Sequence, residues 1–119
     1  MTRCTFVICI TLLATLLTPG LYASSFATAA KPVKIEVVRG QGVMVFGEFG
    51  NPNNCTSASG FWIKIEHPQY EEMYSMALTA MTAGMRLQPY LRECDSIGWY
   101  GGTWNTVTGL DSMSLLPAA

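Results

Sequence analysis

Few residues in this sequence could carry out acid–base or nucleophilic chemistry. His67 is the single histidine, and it precedes Pro68 at a predicted helix entrance, where a capping or surface role is favoured over catalysis. Glu71 and Glu72 are adjacent on that helix, so their carboxylates diverge and stabilise the helix dipole rather than forming an acid–base pair. The sequence contains no serine-hydrolase, zinc-protease or phosphate-loop motif. We therefore predict a protein that is not an enzyme and uses no cofactor.

The cysteines indicate an oxidising compartment. Of four cysteines, Cys4 and Cys9 lie in an N-terminal segment with the features of a secretion signal. The remaining pair, Cys55 and Cys94, is predicted to form a disulfide, with two free thiols as the alternative. We predict no metal site, because His67 is the one nitrogen ligand that could join the thiols and no C-x-x-C spacing exists.

The N-terminal segment has the composition of a signal peptide. Arg3 supplies a positive charge, the range 5–17 is an uncharged apolar run, and Thr-Pro-Gly at 18–20 interrupts it. A run of about 13 residues is shorter than the roughly 20 needed to cross a bilayer. The mature chain is accordingly predicted to have no membrane span and to be secreted or periplasmic.

The predicted cleavage site follows Ala27-Thr28-Ala29, which has the A-x-A form that signal peptidase recognises; the triplet at 21–23 (Leu-Tyr-Ala) is a weaker alternative. This divides the chain into a signal peptide at 1–29 and a single domain at 30–119. The mature domain carries a net charge of −2, because Arg3 leaves with the signal. A near-neutral charge argues against a nucleic-acid partner.

Changes in hydrophobic period predict short strands and one helix. Strands are expected at 33–39, 43–49, 61–66, 87–94 and 104–110. From Tyr70 to Met81 apolar residues recur at three- and four-residue spacing, which predicts an amphipathic helix that ends at Gly84. Loops are expected at 50–60, which is dense in turn residues, and at 95–103, which is rich in glycine. A tail is expected at 112–119.

A second apolar stripe lies beside the main apolar face of this helix. Met76, Ala80 and Ala83 form it. Alanine is common on helix surfaces, which gives the stripe an ordinary explanation. The alternative is that these residues contact a neighbouring subunit in a homo-oligomer.

The predicted order β-β-β-α-β-β favours a small barrel. Five short strands leave long exposed edges unless the sheet closes, and a helix between the third and fourth strands can cover one end. We therefore predict a mainly β protein with one helix, folded as an OB-fold-like five-stranded small barrel. An open α+β sheet with the helix on one face is the alternative.

This architecture resembles that of the B subunits of bacterial A-B toxins, of the cholera-toxin and subtilase-cytotoxin types. The helix containing Tyr70, Met73 and Gly84, followed by the strand 87–94, looks like the corresponding stretch of that family, and the likeness covers most of 33–113. The resemblance implies a homopentamer with its helices around a central pore and with barrels that bind cell-surface glycans.

Four large aromatic residues are candidate ligand-binding residues: Trp62, Trp99, Tyr100 and Trp104. Trp62 and Trp104 have a simpler alternative role in completing the core, whereas Trp99 and Tyr100 lie in a glycine-flanked loop and are harder to bury. Exposed aromatic rings suit a sugar or a protein partner. The predicted function is a non-catalytic binding module for a glycan or protein; the alternative is a small envelope protein with a structural or inhibitory protein-binding role.

Overall fold

A computed structural model describes residues 25–119. The elements of this part of the chain are β1 (Ser25–Phe26), β2 (Lys34–Val38), β3 (Gly42–Phe46), β4 (Ser57–Lys64), α1 (Tyr70–Ala83), β5 (Arg86–Leu91), β6 (Glu93–Ile97), β7 (Tyr100–Val107) and β8 (Met113–Leu116). The prediction of a mainly β fold with one helix is confirmed for these residues.

The strands form two sheets. The larger sheet has the order β2-β3-β4-β7-β6 and the smaller has the order β1-β5-β8. Within residues 25–119, only β4 and β7 pair in parallel; the other strand pairs are antiparallel. A parallel pair needs a long crossover, and here the chain passes through α1, β5 and β6 between β4 and β7.

The predicted closed five-stranded barrel is wrong, and the open α+β alternative fits the structure. The reason lies in the predicted strand 87–94, which is divided at Arg92 into β5 and β6. β5 pairs with β1 and β8, whereas β6 pairs with β7, so the two halves belong to different sheets. Both partners of β5 fall outside the predicted strands, in the predicted signal peptide and the predicted tail. They pair with the two edges of β5 and make it the central strand of the smaller sheet.

The main core lies between the two sheets and the helix. Alternation along β3 and β4 turns Val43, Val45, Phe61 and Ile63 towards it. The helix, β5, β7 and β8 supply most of the remaining buried side chains: Met73, Ala77, Ala80, Leu87, Leu91, Val107 and Met113.

A second buried cluster lies on the opposite face of the larger sheet. It consists of Val38, Met44, Trp62, Ile97 and Trp104, with Phe46 and Tyr100 packed against it. We call it the outer cluster. Its existence explains why β3 reads as an unbroken apolar run, since this strand is covered on both faces.

The predicted disulfide between Cys55 and Cys94 is confirmed, with Cα atoms 5.5 Å apart. Asparagines hold the same loop to β7. Asn105 Nδ2 donates to Asn51 Oδ1 at 2.8 Å, and the Asn53 backbone N–H donates to Asn105 Oδ1 at 3.2 Å. The loop that precedes β4 is therefore fixed by both covalent and polar contacts.

The helix forms where the sequence predicts it. Gly84 adopts the left-handed conformation at its C-terminus (φ 66°), and the Met85 N–H donates to the Ala80 carbonyl at 2.9 Å. At the other end the side chain of the N-cap residue, Gln69, makes no capping hydrogen bond. The buried His67 ring supports the entrance instead, because its Nδ1 accepts the Gln69 backbone N–H at 3.0 Å.

Two predicted loops are partly strand. The predicted loop 95–103 is a hairpin, in which β6 extends to Ile97 and β7 begins at Tyr100. β4 likewise begins at Ser57, within a stretch whose small polar residues indicate a turn. Gly60 lets the strand approach β3, because a Cβ there would collide with the Val45 carbonyl oxygen.

Candidate functional site

Two of the four predicted ligand-binding aromatics are buried. Trp62 is 4% exposed and Trp104 is 6% exposed, both in the outer cluster. Their indole N–H groups are satisfied internally: Trp62 Nε1 donates to the Gln41 carbonyl at 2.9 Å, and Trp104 Nε1 donates to the Gly101 carbonyl at 3.1 Å. These rings fill the outer cluster and present no face to a ligand.

The other two aromatics lie side by side at the β6–β7 turn and differ in environment. Trp99 is 59% exposed, and the Arg39 guanidinium lies 5.8 Å from its ring centroid. Tyr100 is half-buried against Trp104, with ring centroids 5.5 Å apart. The turn thus fixes one ring inward and leaves its neighbour in solvent. We call the exposed pair of Trp99 and Arg39 the aromatic tip.

The Tyr100 hydroxyl is the anchor of this turn. It donates a 2.6 Å hydrogen bond to Glu36 Oε2, and Lys34 Nζ lies 3.5 Å from the same oxygen. The hydrogen bond from Tyr100 lowers the pKa of Glu36, and the positive charge of Lys34 lowers it further, by a smaller amount. Burial and the neighbouring carboxylate raise the pKa of Tyr100 to about 12. The pair is therefore a neutral phenol donating to a carboxylate over a wide pH range.

A large open groove has a volume of about 860 Å³, and neither residue of the aromatic tip lines it. Three segments form most of it: the chain before β2, the end of β3, and the beginning of β4. The lining residues are Thr28, Ala29, Ala30, Lys31, Val33, Lys34, Phe46, Gly47, Glu48, Ala58, Ser59, Arg86 and Ala119. Concave, mainly apolar sites of this size with a few polar groups are typical of ligand binding.

Three basic side chains and one acidic side chain line this groove, which we call the basic groove. Lys34 Nζ lies 4.7 Å from the centroid of the Phe46 ring, and Arg86 Nε donates to the Pro117 carbonyl at 3.0 Å. Lys31 has no ion-pair partner within 25–119, and Glu48 is the acid. The arrangement favours a ligand with both an apolar face and a negative charge.

The floor of the basic groove is closely packed. The Gly47 N–H donates to the Ser59 carbonyl at 3.0 Å, which ties the end of β3 to β4. A Cβ at Gly47 would lie 2.7 Å from the Phe49 ring and 2.9 Å from the Lys31 carbonyl oxygen. The groove is therefore shaped by rigid backbone, which limits the conformational entropy that the protein loses when a ligand binds.

Sequence reasoning missed the basic groove because its residues are distant in the chain. Lys31 precedes the first predicted strand and Lys34 lies at its start, whereas Arg86 begins β5. Only the pairing of the segment at 25–30 with β5 brings them together. Alternation along the strands could not reveal this pairing.

His67 has a structural role at the start of the helix. Its Nδ1 accepts the Gln69 N–H, which leaves Nε2 protonated to donate to the Asp111 carbonyl at 3.3 Å. Glu71 and Glu72 are exposed in the first turn of α1, as their proposed dipole role requires. Both nitrogens of the imidazole are occupied, so this ring joins the helix entrance to the turn before β8.

The predicted oligomer-contact residues have different environments. Ala80 is fully buried in the main core, Met76 packs against that core, and Ala83 is exposed. Ala80 therefore has no surface to offer a neighbouring subunit. The exposed large apolar side chains of α1 are instead Leu78 and Met81.

No cluster of metal-binding side chains occurs within residues 25–119. None of the helices in this range is both long and apolar enough to cross a membrane. Comparison of the chain with protein-family models, with curated proteins and with solved structures finds no match.

Proposed function

We propose that this chain is an exported, non-catalytic binding domain that takes an acidic carbohydrate in the basic groove. The observation that carries the proposal is the placement of Lys31, Lys34 and Arg86 around an apolar groove containing Phe46. Cations pair with a sugar carboxylate, and an apolar floor suits the C–H face of a sugar ring.

Three further features support this choice. The Cys55–Cys94 disulfide is compatible with an extracytoplasmic location. Both nitrogens of the single histidine are engaged in structural contacts. The Phe46 ring beside the groove cations favours a sugar acid over a small inorganic anion, because the ring offers an apolar face. We also propose a homo-oligomer, which light scattering on the mature protein measures.

The test is binding of the purified mature protein to an array of acidic and neutral glycans. Lys31→Ala removes a groove cation that has no internal ion pair. We expect affinity for acidic glycans to fall roughly tenfold or more, as for loss of a hydrogen bond to a charged group. Arg39→Ala is the matched control, because it removes an exposed cation outside the groove.

An equal loss in the two variants, or no binding to any glycan, would contradict the proposal. Neutral glycans should bind weakly to every variant. Circular dichroism on each protein verifies that the fold is retained.

A second candidate function is recognition of a protein partner by the aromatic tip. The exposed ring of Trp99 on an anchored turn is the observation that favours it. Trp99→Ala separates the two functions: it leaves glycan binding intact if the basic groove is the site. Loss of glycan binding in this variant, with binding retained in Lys31→Ala, would assign the ligand to the tip.

A further inference from the structure

The residues just before Lys31 are part of the folded domain, although the A-x-A motif places them at the end of the signal peptide. β1 pairs with β5 in antiparallel register, with Ser25 opposite Leu91 and Phe26 opposite Tyr90. The two rings of the second pair meet edge to face at 5.0 Å. Without β1, one edge of β5 would lose these partners.

Ala27 makes the deepest contacts of this segment. It is 3% exposed and belongs to the main core. Its N–H donates to the Pro89 carbonyl at 2.8 Å, and its carbonyl accepts Gln88 Nε2 at 3.2 Å. Next along the chain, the Thr28 N–H donates to the Phe49 carbonyl at 3.0 Å. These contacts make the segment part of the folded domain.

Cleavage after Ala29 would remove all of these groups. It would open the main core at Ala27, leave the Pro89 and Phe49 carbonyls without these donors, and remove Thr28 and Ala29 from the wall of the basic groove. An unsatisfied buried polar group is costly. The folded domain therefore favours a processing site that lies upstream of Ser25.

We infer that signal peptidase hydrolyses the bond between Ala23 and Ser24, so that the mature protein begins at Ser24. Water adds across this peptide bond, which leaves a carboxylate on Ala23 and an amino group on Ser24. Ala23 provides the small residue that the enzyme needs before the cleaved bond. It also lies closer than Ala29 to the end of the apolar run at Leu17. The inference rests on the signal-peptide prediction and is independent of the proposed ligand.

The experiment is export of the full precursor from a secretion-competent bacterial host, followed by intact mass and N-terminal sequencing of the exported protein. A chain beginning at Ser24 is the expected result. A chain beginning at Ala30, or an unprocessed chain beginning at Met1, would overturn the inference.

A matched pair of variants tests the same site without reference to folding. A23L places a bulky side chain before the proposed bond and is expected to reduce mature protein at least tenfold, with precursor accumulating. A29L places the same side chain before the alternative bond and should leave the N-terminus at Ser24. The reverse pattern would place the cleavage after Ala29.

The structural reason is tested separately by comparing chains 24–119 and 30–119. In thermal unfolding, the midpoint temperature of the shorter chain should be roughly 10 °C or more below that of the longer chain. Equal midpoints would show that the segment adds nothing to the fold, which would remove the basis of the inference.

Discussion

The hydroxyl of Tyr100 on β7 donates a 2.6 Å hydrogen bond to Glu36 on β2, although β3 and β4 lie between these strands in the larger sheet. The β6–β7 turn therefore reaches across the outer face of the sheet and covers the outer cluster. The same contact fixes Trp99, the preceding residue, in an exposed position.

Tyr100→Phe removes this hydrogen bond and keeps the ring that packs on Trp104. We expect the free energy of unfolding to fall by about 1 kcal/mol, in line with a single partly exposed hydrogen bond. Urea denaturation measures the change. Tyr74→Phe is the control, because the hydroxyl of Tyr74 makes no hydrogen bond within the described residues, and it should be close to neutral. Equal effects in the two variants would show that the contact to Glu36 does not contribute to stability.

The same pair predicts a loss of stability in alkali. The folded-state pKa of Tyr100 is raised to about 12 from an ordinary value of 10.0. The folded state therefore holds the phenol proton between these values while the unfolded state releases it, so stability is full below pH 10 and falls as pH rises towards 12. Thermal unfolding at pH 9, 10 and 11 tests this: the wild-type advantage over Tyr100→Phe should shrink with rising pH. A constant difference would contradict it.

Acid should also weaken the interaction between Tyr100 and Glu36, because it protonates the Glu36 carboxylate. The pKa of Glu36 is lowered from an ordinary value of 4.5, so its contribution is present above that value and is lost as pH falls through the folded-state pKa. The free energy of unfolding of the wild type should fall between pH 6 and pH 3, and Glu36→Gln should make that fall smaller. Urea midpoints at the two pH values measure it. An unchanged pH dependence in the variant would assign acid lability to other carboxylates.

Two neighbouring glycines should respond differently to alanine. Gly42 has φ 119°, and a Cβ there would collide with the backbone carbonyl oxygen of Ile63. Gly42→Ala should destabilise the fold by about 3 kcal/mol or more, because backbone rather than a flexible side chain must move. Gly40 also has a positive φ, 72°, but a Cβ there meets nothing within 4 Å. Gly40→Ala should cost only about 1 kcal/mol, and equal losses would contradict the close approach at Gly42.

The disulfide should supply much of the stability of so small a domain. Cys55 and Cys94 are 39 residues apart, and closing such a loop contributes roughly 4 kcal/mol in the chain-entropy model. The double variant Cys55→Ala/Cys94→Ala should lower the free energy of unfolding by about 3–4 kcal/mol. Urea denaturation of the variant, and of the wild type with and without reductant, measures this. A reduced wild type as stable as the oxidised protein would contradict the prediction.

Local patterns predicted the elements whose determinants are close in sequence. The helix follows from its apolar spacing and from Gly84, and the strand at Lys34–Val38 follows from its alternation. The disulfide followed from compartment and cysteine count. Each of these needs little information from distant residues.

The remainder depends on contacts between distant residues. Alternation turns Trp62 away from the main core, and only the distant β6–β7 turn buries it. The predicted strand 87–94 is interrupted at Arg92 because its first half pairs with β1 and β8, whereas its second half pairs with β7 in the other sheet. The basic groove likewise combines Lys31 with Arg86, which no spacing rule relates.

The most direct measurement is an NMR titration of the isotopically labelled mature protein with an acidic monosaccharide and with its neutral counterpart. The acidic sugar should shift amide resonances of groove residues such as Lys31, Gly47 and Ser59, while Trp99 stays unchanged. Shifts confined to Trp99 and its neighbours, or none with either sugar, would contradict an acidic-glycan site in the basic groove.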